Sequence, residues 1–314
     1  MKIKFLLIGT ARQPTLNVGS NGLGRHTYDF LRKFQEKQEL DITTLLHKDS
    51  KLEWNSIRQL YYSDENSESG LIKEFILKEK FDVVMDFTHY HILSKLYQNH
   101  LPIINFIHDE ECSYMPPNCM LGNEWQKNKY KNGRIFRTGI DFTRYNLYEK
   151  KEDYYSFCGK LEHRKGYDIA QHFSKLAGIR TIFAGPDVDG NANTLQEWIG
   201  EIADHKKFCD FVGKSTALFY PSRADAGGMG IWEASALGTP VITTKDSGAQ
   251  CNVINGSTGF VVSNTHEALE AIQQVKTLSP LKIRQTAEYT WDFNKNFEKI
   301  YSQIISFVYN KERW

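Results

Sequence analysis

Between Pro221 and Pro240 the chain reads PSRADAGGMGIWEASALGTP, which sets two carboxylates, Asp225 and Glu233, eight positions apart around a glycine pair. The run from Thr216 to Tyr220 has the length of a buried strand. Pro221, Ser222, Gly227 and Gly228 break it, and helix-forming residues resume at Met229. Glycine lets the backbone approach a phosphate closely, and the unpaired N–H groups at a helix start favour negative charge. Carboxylates beside such a site would repel phosphate, so their ligands must be donors, and sugar hydroxyls are donors that both accept from. The arrangement suits a nucleotide diphosphate sugar, with one carboxylate on the sugar, the other on the ribose, and the phosphates between them on backbone amides. A solvated loop running into an amphipathic helix accounts for the same residues without a ligand, and this segment alone does not separate the two readings.

Other segments bear on the same chemistry. In Phe157–Gly166, FCGKLEHRKG, a strand gives way to a helix through Lys160, Arg164 and Lys165. These cations would neutralise a diphosphate leaving group, or they form a solvated basic turn. The loop after the first strand carries Gly19, Gly22 and Gly24 ahead of a helical run from Thr27 to Phe34. Its GxxGxG order is not the dinucleotide fingerprint, so it reads as a phosphate loop or a flexible connector. A strand over Ile103–Asp109 delivers His108 at its carboxyl end, while His89 and His91 lie beyond the preceding strand, as acceptor contacts or surface residues. Asp187-Val188-Asp189 has the spacing of metal-binding carboxylates, yet it follows Ala184-Gly185-Pro186 and we read it as a loop. Trp125, Lys127, Lys129, Tyr130, Lys131, Arg134, Phe136 and Arg137 mix aromatic and basic residues. They read as a membrane-surface or phosphate patch, or as a solvated helix entering a strand.

The elements that must position these residues follow from the apolar pattern. Strand-length runs fall at Lys4–Gly9, Asp41–Leu46, Asp82–Asp86, Ile103–His108, Tyr155–Gly159, Arg180–Ala184, Phe208–Val212, Ala217–Tyr220, Val241–Thr244 and Phe260–Val262, with helical spacing between most of them. That alternation predicts an α/β chain with two doubly wound parallel sheets covered by helices. The polar stretch Tyr145–Asp153 reads as the linker, giving domains at 1–147 and 148–290. Ligands gather outside the carboxyl ends of such strands, so two domains facing each other would share one cleft. Trp291, Phe293, Phe297, Ile300, Tyr301, Ile304, Ile305 and Val308 form the stripe of a final helix over 291–314.

Size and composition bound the rest. A chain of 314 residues with 40% hydrophobic content fits two cores better than one. With 39 basic and 38 acidic residues, the net charge of +1 gives no global case for a nucleic-acid partner. The 5 cysteines are odd in number and form no CxxC pair, which favours reduced thiols and a cytoplasmic setting. MKIKFLLIGT reads as the first strand, and no segment approaches 18 apolar residues.

The 221–242 segment resembles the signature of the family 4 retaining glycosyltransferases of GT-B fold. There Pro-Ser precedes two glutamates eight apart, the second opening Glu-Ala-x-Ala-x-Gly-x-Pro-Val-Ile; here Glu233-Ala234-Ser235-Ala236-Leu237-Gly238-Thr239-Pro240-Val241-Ile242 matches. Asp225 replaces the first glutamate, and Gly227 stands where phenylalanine is usual. The family's Gly-Arg-Leu opening and Lys-Gly are met by Gly159-Lys160-Leu161 and Lys165-Gly166, with lysine in the arginine's place. The resemblance implies two Rossmann-like domains, with the final helix crossing back to the first. It implies His108 against the transferred sugar, Lys160 and Lys165 on the diphosphate, and Asp225 on the sugar. Gly22, Gly24, Gly159, Arg164, Gly185, Val212, Gly227, Gly228, Met229 and Glu233 become donor-binding positions. Thr138-Gly139-Ile140-Asp141 resembles the turn closing the family's first domain. Between Gly213 and Pro221 the family inserts a helix for which this chain leaves no room.

The function so implied is a retaining transferase moving a sugar from a UDP-sugar, with GDP-sugar next, to an acceptor hydroxyl. No essential metal or other cofactor is expected. The acceptor is a sugar, lipid-linked group or protein, with peripheral contact at the inner face of a membrane in view. An epimerase or phosphorylase on the same fold, and a non-catalytic nucleotide-sugar-binding subunit, are the alternatives.

Overall fold

Strands buried on both faces of a parallel sheet have no polar side to show, so they read as unbroken apolar runs. The computed structural model, which describes residues 2–16, 22–97, 101–108 and 114–311, contains two sheets built this way. They lie in two units, 1–137 with 294–314, and 138–293.

The first unit runs β1 (Ile3–Ile8), α1 (Gly22–Phe34), β2 (Leu40–His47), β3 (Arg58–Tyr62), α2 (Ser69–Glu79), β4 (Val83–Asp86), α3 (Ile92–Tyr97), β5 (Ile103–Ile107), β6 (Cys119–Leu121), α4 (Glu124–Tyr130) and β7 (Arg134–Ile135). Its seven strands are all parallel, in the order β3-β2-β1-β4-β5-β6-β7. The strand order therefore reverses between β1 and β4.

The second unit runs β8 (Tyr155–Cys158), α5 (Tyr167–Ala177), β9 (Thr181–Ala184), α6 (His205–Lys214), β10 (Leu218–Tyr220), α7 (Met229–Ala236), β11 (Val241–Thr244), β12 (Gly259–Val262), α8 (Thr265–Gln274) and α9 (Pro280–Trp291). Its five parallel strands follow the order β12-β11-β10-β8-β9, so the reversal falls between β8 and β10. In open α/β sheets the ligand crevice lies at this reversal, outside the carboxyl ends of the strands. The turns leaving β8 and β10 are the basic and the carboxylate segments singled out in the sequence.

The last helix, α10 (Phe293–Tyr309), belongs with the first unit from Asn294 onward. Phe297 meets Phe34 of α1 edge-on at 5.2 Å, Tyr301 donates to Glu39 at 2.7 Å, and Arg32 donates to Asn294 at 3.0 Å.

Several sequence expectations are corrected. The second unit begins at Thr138, ten residues before the expected 148, because Phe142 and Tyr145 are buried with Trp232 and Trp291 in its core. The stretch expected as a linker is tied to that unit as well. Lys151 donates to the Gly213 carbonyl and Thr239 Oγ1, and Tyr148 donates to Asp210. Phe208–Val212 is not a strand but the middle of α6, whose N-cap Asp204 accepts from the Lys207 amide. That helix ends at Lys214, directly before β10. What lies beside β9 is 197–200. Phe183 donates its amide to the Glu197 carbonyl, Ile199 to that of Phe183, and Gly185 to that of Gly200. The short strands β3, β6 and β7 add to those expected, and α1 begins at Gly22, five residues before Thr27.

Candidate functional site

The turns after β8 and β10 are stitched together before any side chain reaches outward. After β8 the chain makes a single turn over His163–Lys165 and reverses at Gly166, whose φ of +75° is left-handed. A Cβ there would lie 2.0 Å from the Pro221 carbonyl oxygen, so only glycine lets the two turns touch. Arg223 returns the contact: its amide donates to the Arg164 carbonyl, and its guanidinium donates to the His163 carbonyl and to both Asp168 oxygens at 2.7 Å. Burial opposes the Asp168 charge, but the fork of Arg223 prevails and holds the carboxyl below its ordinary range, while raising the guanidinium in turn.

This frame brings Lys165 and Asp225 together. Lys165 Nζ donates to Asp225 Oδ2 at 2.7 Å, and the Tyr220 hydroxyl donates to the same oxygen at 2.7 Å. Burial, followed by the charge and hydrogen bond of Asp225, pushes the Tyr220 hydroxyl well above its ordinary range, so it remains a donor. The Tyr220 ring lies against the start of α7, where a Cβ on Gly228 would come within 2.9 Å of it. Gly228, at φ +83°, opens α7 with no side-chain cap. Beneath the loop, Asn252 Nδ2 donates to the Gly227 carbonyl at 2.6 Å. Met229 and the two glycines before it thus form a helix start at the reversal between β8 and β10, beside an ammonium and a carboxylate.

Glu233, one turn into α7, is 3% exposed and accepts from the Tyr145 hydroxyl at 2.9 Å. Arg284 fixes Tyr145 by donating to the carbonyls of Phe142, Tyr145 and Ala236. Lys160 is exposed on the turn after β8. Arg164, also exposed, donates to Glu162 at 3.0 Å. Gly159 donates its amide to Ala184, and the Gly185 carbonyl accepts from the Trp198 indole at 2.9 Å. Val212 is fully buried inside α6, and its carbonyl accepts from Ser215 and Thr239. Inside a helix rather than at the end of a strand, it has no surface to offer a nucleotide sugar.

The first unit gathers a different set at its own reversal. His108 follows β5, with Nε2 3.2 Å from the Thr88 carbonyl, and its ring meets that of His89 edge-on at 4.7 Å. His89 Nδ1 lies 2.7 Å from Thr10 Oγ1, which donates to Glu65 at 3.4 Å. His91, 2% exposed, sits 3.7 Å from the buried Asp86 carboxylate, which marks it as a core residue. His26 of α1 stacks on Phe30, and burial, then the charges of His108 and Arg25, lower its pKa to about 3. Gly22 and Gly24 are the first and third residues of α1 rather than a loop, with Gly24 buried; Gly19 lies outside the described residues.

Asp187 accepts from the amides of Asn191 and Ala192, and Asp189 from that of His163, so both serve turns. Among the described residues no group of three or more His, Cys, Asp or Glu is placed to hold a metal, and no helix is long and apolar enough to cross a membrane. The basic-aromatic cluster spans α4 and β7, with Lys129 over the Trp125 ring at 4.8 Å. The residues that sequence reasoning missed are Tyr220, Tyr145 and Asn252. The first two read as parts of a core strand and a linker, and a Tyr-Pro-Ser end to a strand is the one signal for Tyr220.

Comparison with known proteins bears on the fold and on the second unit. Residues 141–289 match the family "Glycosyl transferases group 1". Over 145 residues the chain is 26% identical to glycogen synthase of Mycobacterium tuberculosis, a match covering 40% of this chain and 34% of that protein. The chain thus spans about a third of the length of the curated relatives it matches. AviGT4, a glycosyltransferase involved in avilamycin A biosynthesis, superposes with a TM-score of 0.77 at 20% identity over 99% of each chain. Anabaena Alr3699/HepE in complex with UDP gives 0.70 at 16% identity, over 98% of this chain and 100% of that one. Sucrose-phosphate synthase from Thermosynechococcus elongatus gives 0.75 at 14%, over 97% and 100%. The chain therefore has the GT-B fold, and residues 141–289 of its second unit are similar to the glycosyl transferases group 1 family.

Proposed function

We propose that the protein is a retaining glycosyltransferase that moves a sugar from a nucleotide diphosphate sugar to an acceptor hydroxyl in glycan or glycoconjugate synthesis. The observation that carries this reading is the Lys165–Asp225 pair beside the uncapped start of α7, at the strand-order reversal of the second unit. An ammonium has three N–H donors and Asp225 takes one, which leaves Lys165 charge and hydrogen bonds for a diphosphate. The amides of Gly227, Gly228 and Met229 receive the same phosphates at the positive end of the helix dipole. Glu233 accepts from the ribose hydroxyls and Asp225 from those of the sugar.

In this reading the bond from the sugar's anomeric carbon to the phosphate oxygen breaks ahead of attack, and the acceptor oxygen bonds that carbon on the same face as its proton passes to the departing phosphate oxygen. The electron pair stays on the diphosphate, where Lys165, Lys160 and the α7 amides stabilise it most as the bond breaks. Protein cations supply the neutralising charge, so no metal is assigned. A uridine donor is favoured because Alr3699/HepE, similar in fold, is seen in complex with UDP and with UDP and glucose. A guanosine donor is next.

Thermal-shift measurements with UDP, GDP and their sugars test the donor, since a ligand at about 100 times its Kd stabilises by about 2.7 kcal/mol. Product analysis then tests the reaction. Free nucleoside diphosphate with a new glycoside of unchanged anomeric configuration is expected. An altered nucleotide sugar, or tight binding without turnover across a broad acceptor panel, would overturn it.

A further inference from the structure

Asp225 stands where the resembling family carries glutamate, and a carboxylate one methylene shorter on a glycine-flanked loop would turn freely. Its surroundings prevent that. Lys165 and Tyr220 both donate to Oδ2, each at 2.7 Å, and among the described residues no donor is bonded to Oδ1. The acid is thus gripped by one oxygen, and the other keeps both its lone pairs. Tyr220 is itself held firmly, because its carbonyl accepts from Thr243 Oγ1 at 2.7 Å and from the Ser222 amide at 2.9 Å. Its ring lies against α7, where a Cβ on Gly230 would come within 3.2 Å. The glycines that open the helix therefore make room for the tyrosine as well as for phosphate. The hydroxyl keeps its proton through burial and through the charges of Asp225 and Glu233.

We propose that Tyr220 is a positioning residue for donor-sugar choice: its hydroxyl, with Lys165, fixes Asp225 by Oδ2 so that Oδ1 receives the hydroxyls of the sugar. This rests on the reading of the second unit as a nucleotide-sugar site. A neutral hydroxyl that fixes a carboxylate without cancelling its charge leaves Oδ1 a strong, oriented acceptor, which distinguishes sugars by where their hydroxyls point. A lysine alone would hold the charge but not the angle, because its stem is flexible.

The test compares the wild-type protein with Tyr220→Phe, which keeps the ring and removes one oxygen. UDP, UDP-glucose, UDP-galactose and UDP-N-acetylglucosamine are titrated by calorimetry, with the guanosine series in parallel, and kcat and KM are measured on every donor turned over. For Tyr220→Phe we expect nucleoside diphosphate affinity within about twofold of wild type. The advantage of the preferred sugar donor should fall about tenfold or more, the loss for one hydrogen bond to a charged group. Asp225→Asn should lose that advantage too, and adding Tyr220→Phe to it should cost little further. Unchanged sugar preference in Tyr220→Phe overturns the proposal, as does an equal loss for nucleoside diphosphate and sugar donor, which marks a merely structural role. Should Tyr220→Phe fail to fold, judged by its unfolding transition, Asp225→Asn alone decides: a retained preference overturns the proposal. A wild-type protein that binds sugar nucleotides but transfers nothing sinks glycosyl transfer while leaving the binding comparison intact, and one that binds none sinks both.

Discussion

Each sheet reverses its strand order once, yet the described residues presented there differ in kind. After β8 and β10 the second unit places Lys160, Arg164, Lys165 and Arg223, with Glu162, Asp225 and Asp168 as counterions of the last three. After β1, β4 and β5 the first unit places Thr10, His89 and His108, with Glu65 behind them and the neutral His26 beneath. Glu65 is itself pushed upward, first by burial and then by the charge of Asp86. In the function proposed above, the edge of the second unit is the one that takes the diphosphate. The fold supplies the crevice, and the residues after each strand decide what it takes.

The sharpest way to break this contrast is to remove charge from the phosphate edge. Lys165→Ala should lower kcat about 10²- to 10³-fold, the range for losing one donor aimed at developing charge. Thermal unfolding should shift little, since the Lys165–Asp225 pair is partly exposed and salt-screened. Turnover within a few-fold of wild type would refute the role given to this ammonium.

The frame beneath that edge gives the next largest effect. Gly166→Ala must place a Cβ 2.0 Å from the Pro221 carbonyl oxygen at a left-handed φ, so the two turns have to part. We expect a loss of about 2 kcal/mol or more in stability, seen as a lower Tm, together with weakened nucleotide binding. A variant of native Tm would show that the turns separate at no cost.

Glu233→Gln is a milder change, keeping the shape and the bond from Tyr145 while removing a charge. We expect about a tenfold weaker Kd for a nucleoside diphosphate, near the lower end for a hydrogen bond to a charged group. Equal affinities for the ribose form and its 2′-deoxy analogue, in the wild-type protein, would remove the assigned contact.

Much of this is legible in the sequence because the buried strands and the 221–242 block depend on local pattern. β1, β4, β5, β8, β9, β10, β11 and β12 are apolar runs bounded by turns. The strand expected at Phe208–Val212 fails for a specific reason. Its two phenylalanines and valine also fit a helical face, and Cys209 and Val212 are buried while Lys206 and Lys207 are exposed, a period that a five-residue window cannot separate from two. Nor does the polar appearance of 145–153 announce that Tyr145, Tyr148 and Lys151 turn their hydroxyls and ammonium inward. In the site, Lys165 and Asp225 read separately, as a phosphate cation and a sugar acceptor, and their pairing beside Tyr220 depends on contacts sixty residues apart. Such contacts have no local signature.

The smallest effect concerns the first unit and comes from His26. Its folded pKa, about 3, lies below the unfolded value near 6.5, so the fold prefers the uncharged ring. Below pH 6.5 the unfolded chain takes up a proton that the folded chain refuses, and stability must fall as the pH drops toward 3. Above 6.5 both states carry a neutral ring and the contribution is flat. The slope from this one group is at most about 1.4 kcal/mol per pH unit. His26→Phe should preserve the stack on Phe30 and the edge contact to Phe106 while removing the titration. Carboxylates elsewhere titrate alike in both proteins, so the difference in Tm between variant and wild type isolates the histidine. That difference should grow in favour of the variant as the pH falls from about 6.5 to about 5, and a constant offset would mean that His26 is charged or solvated in the fold.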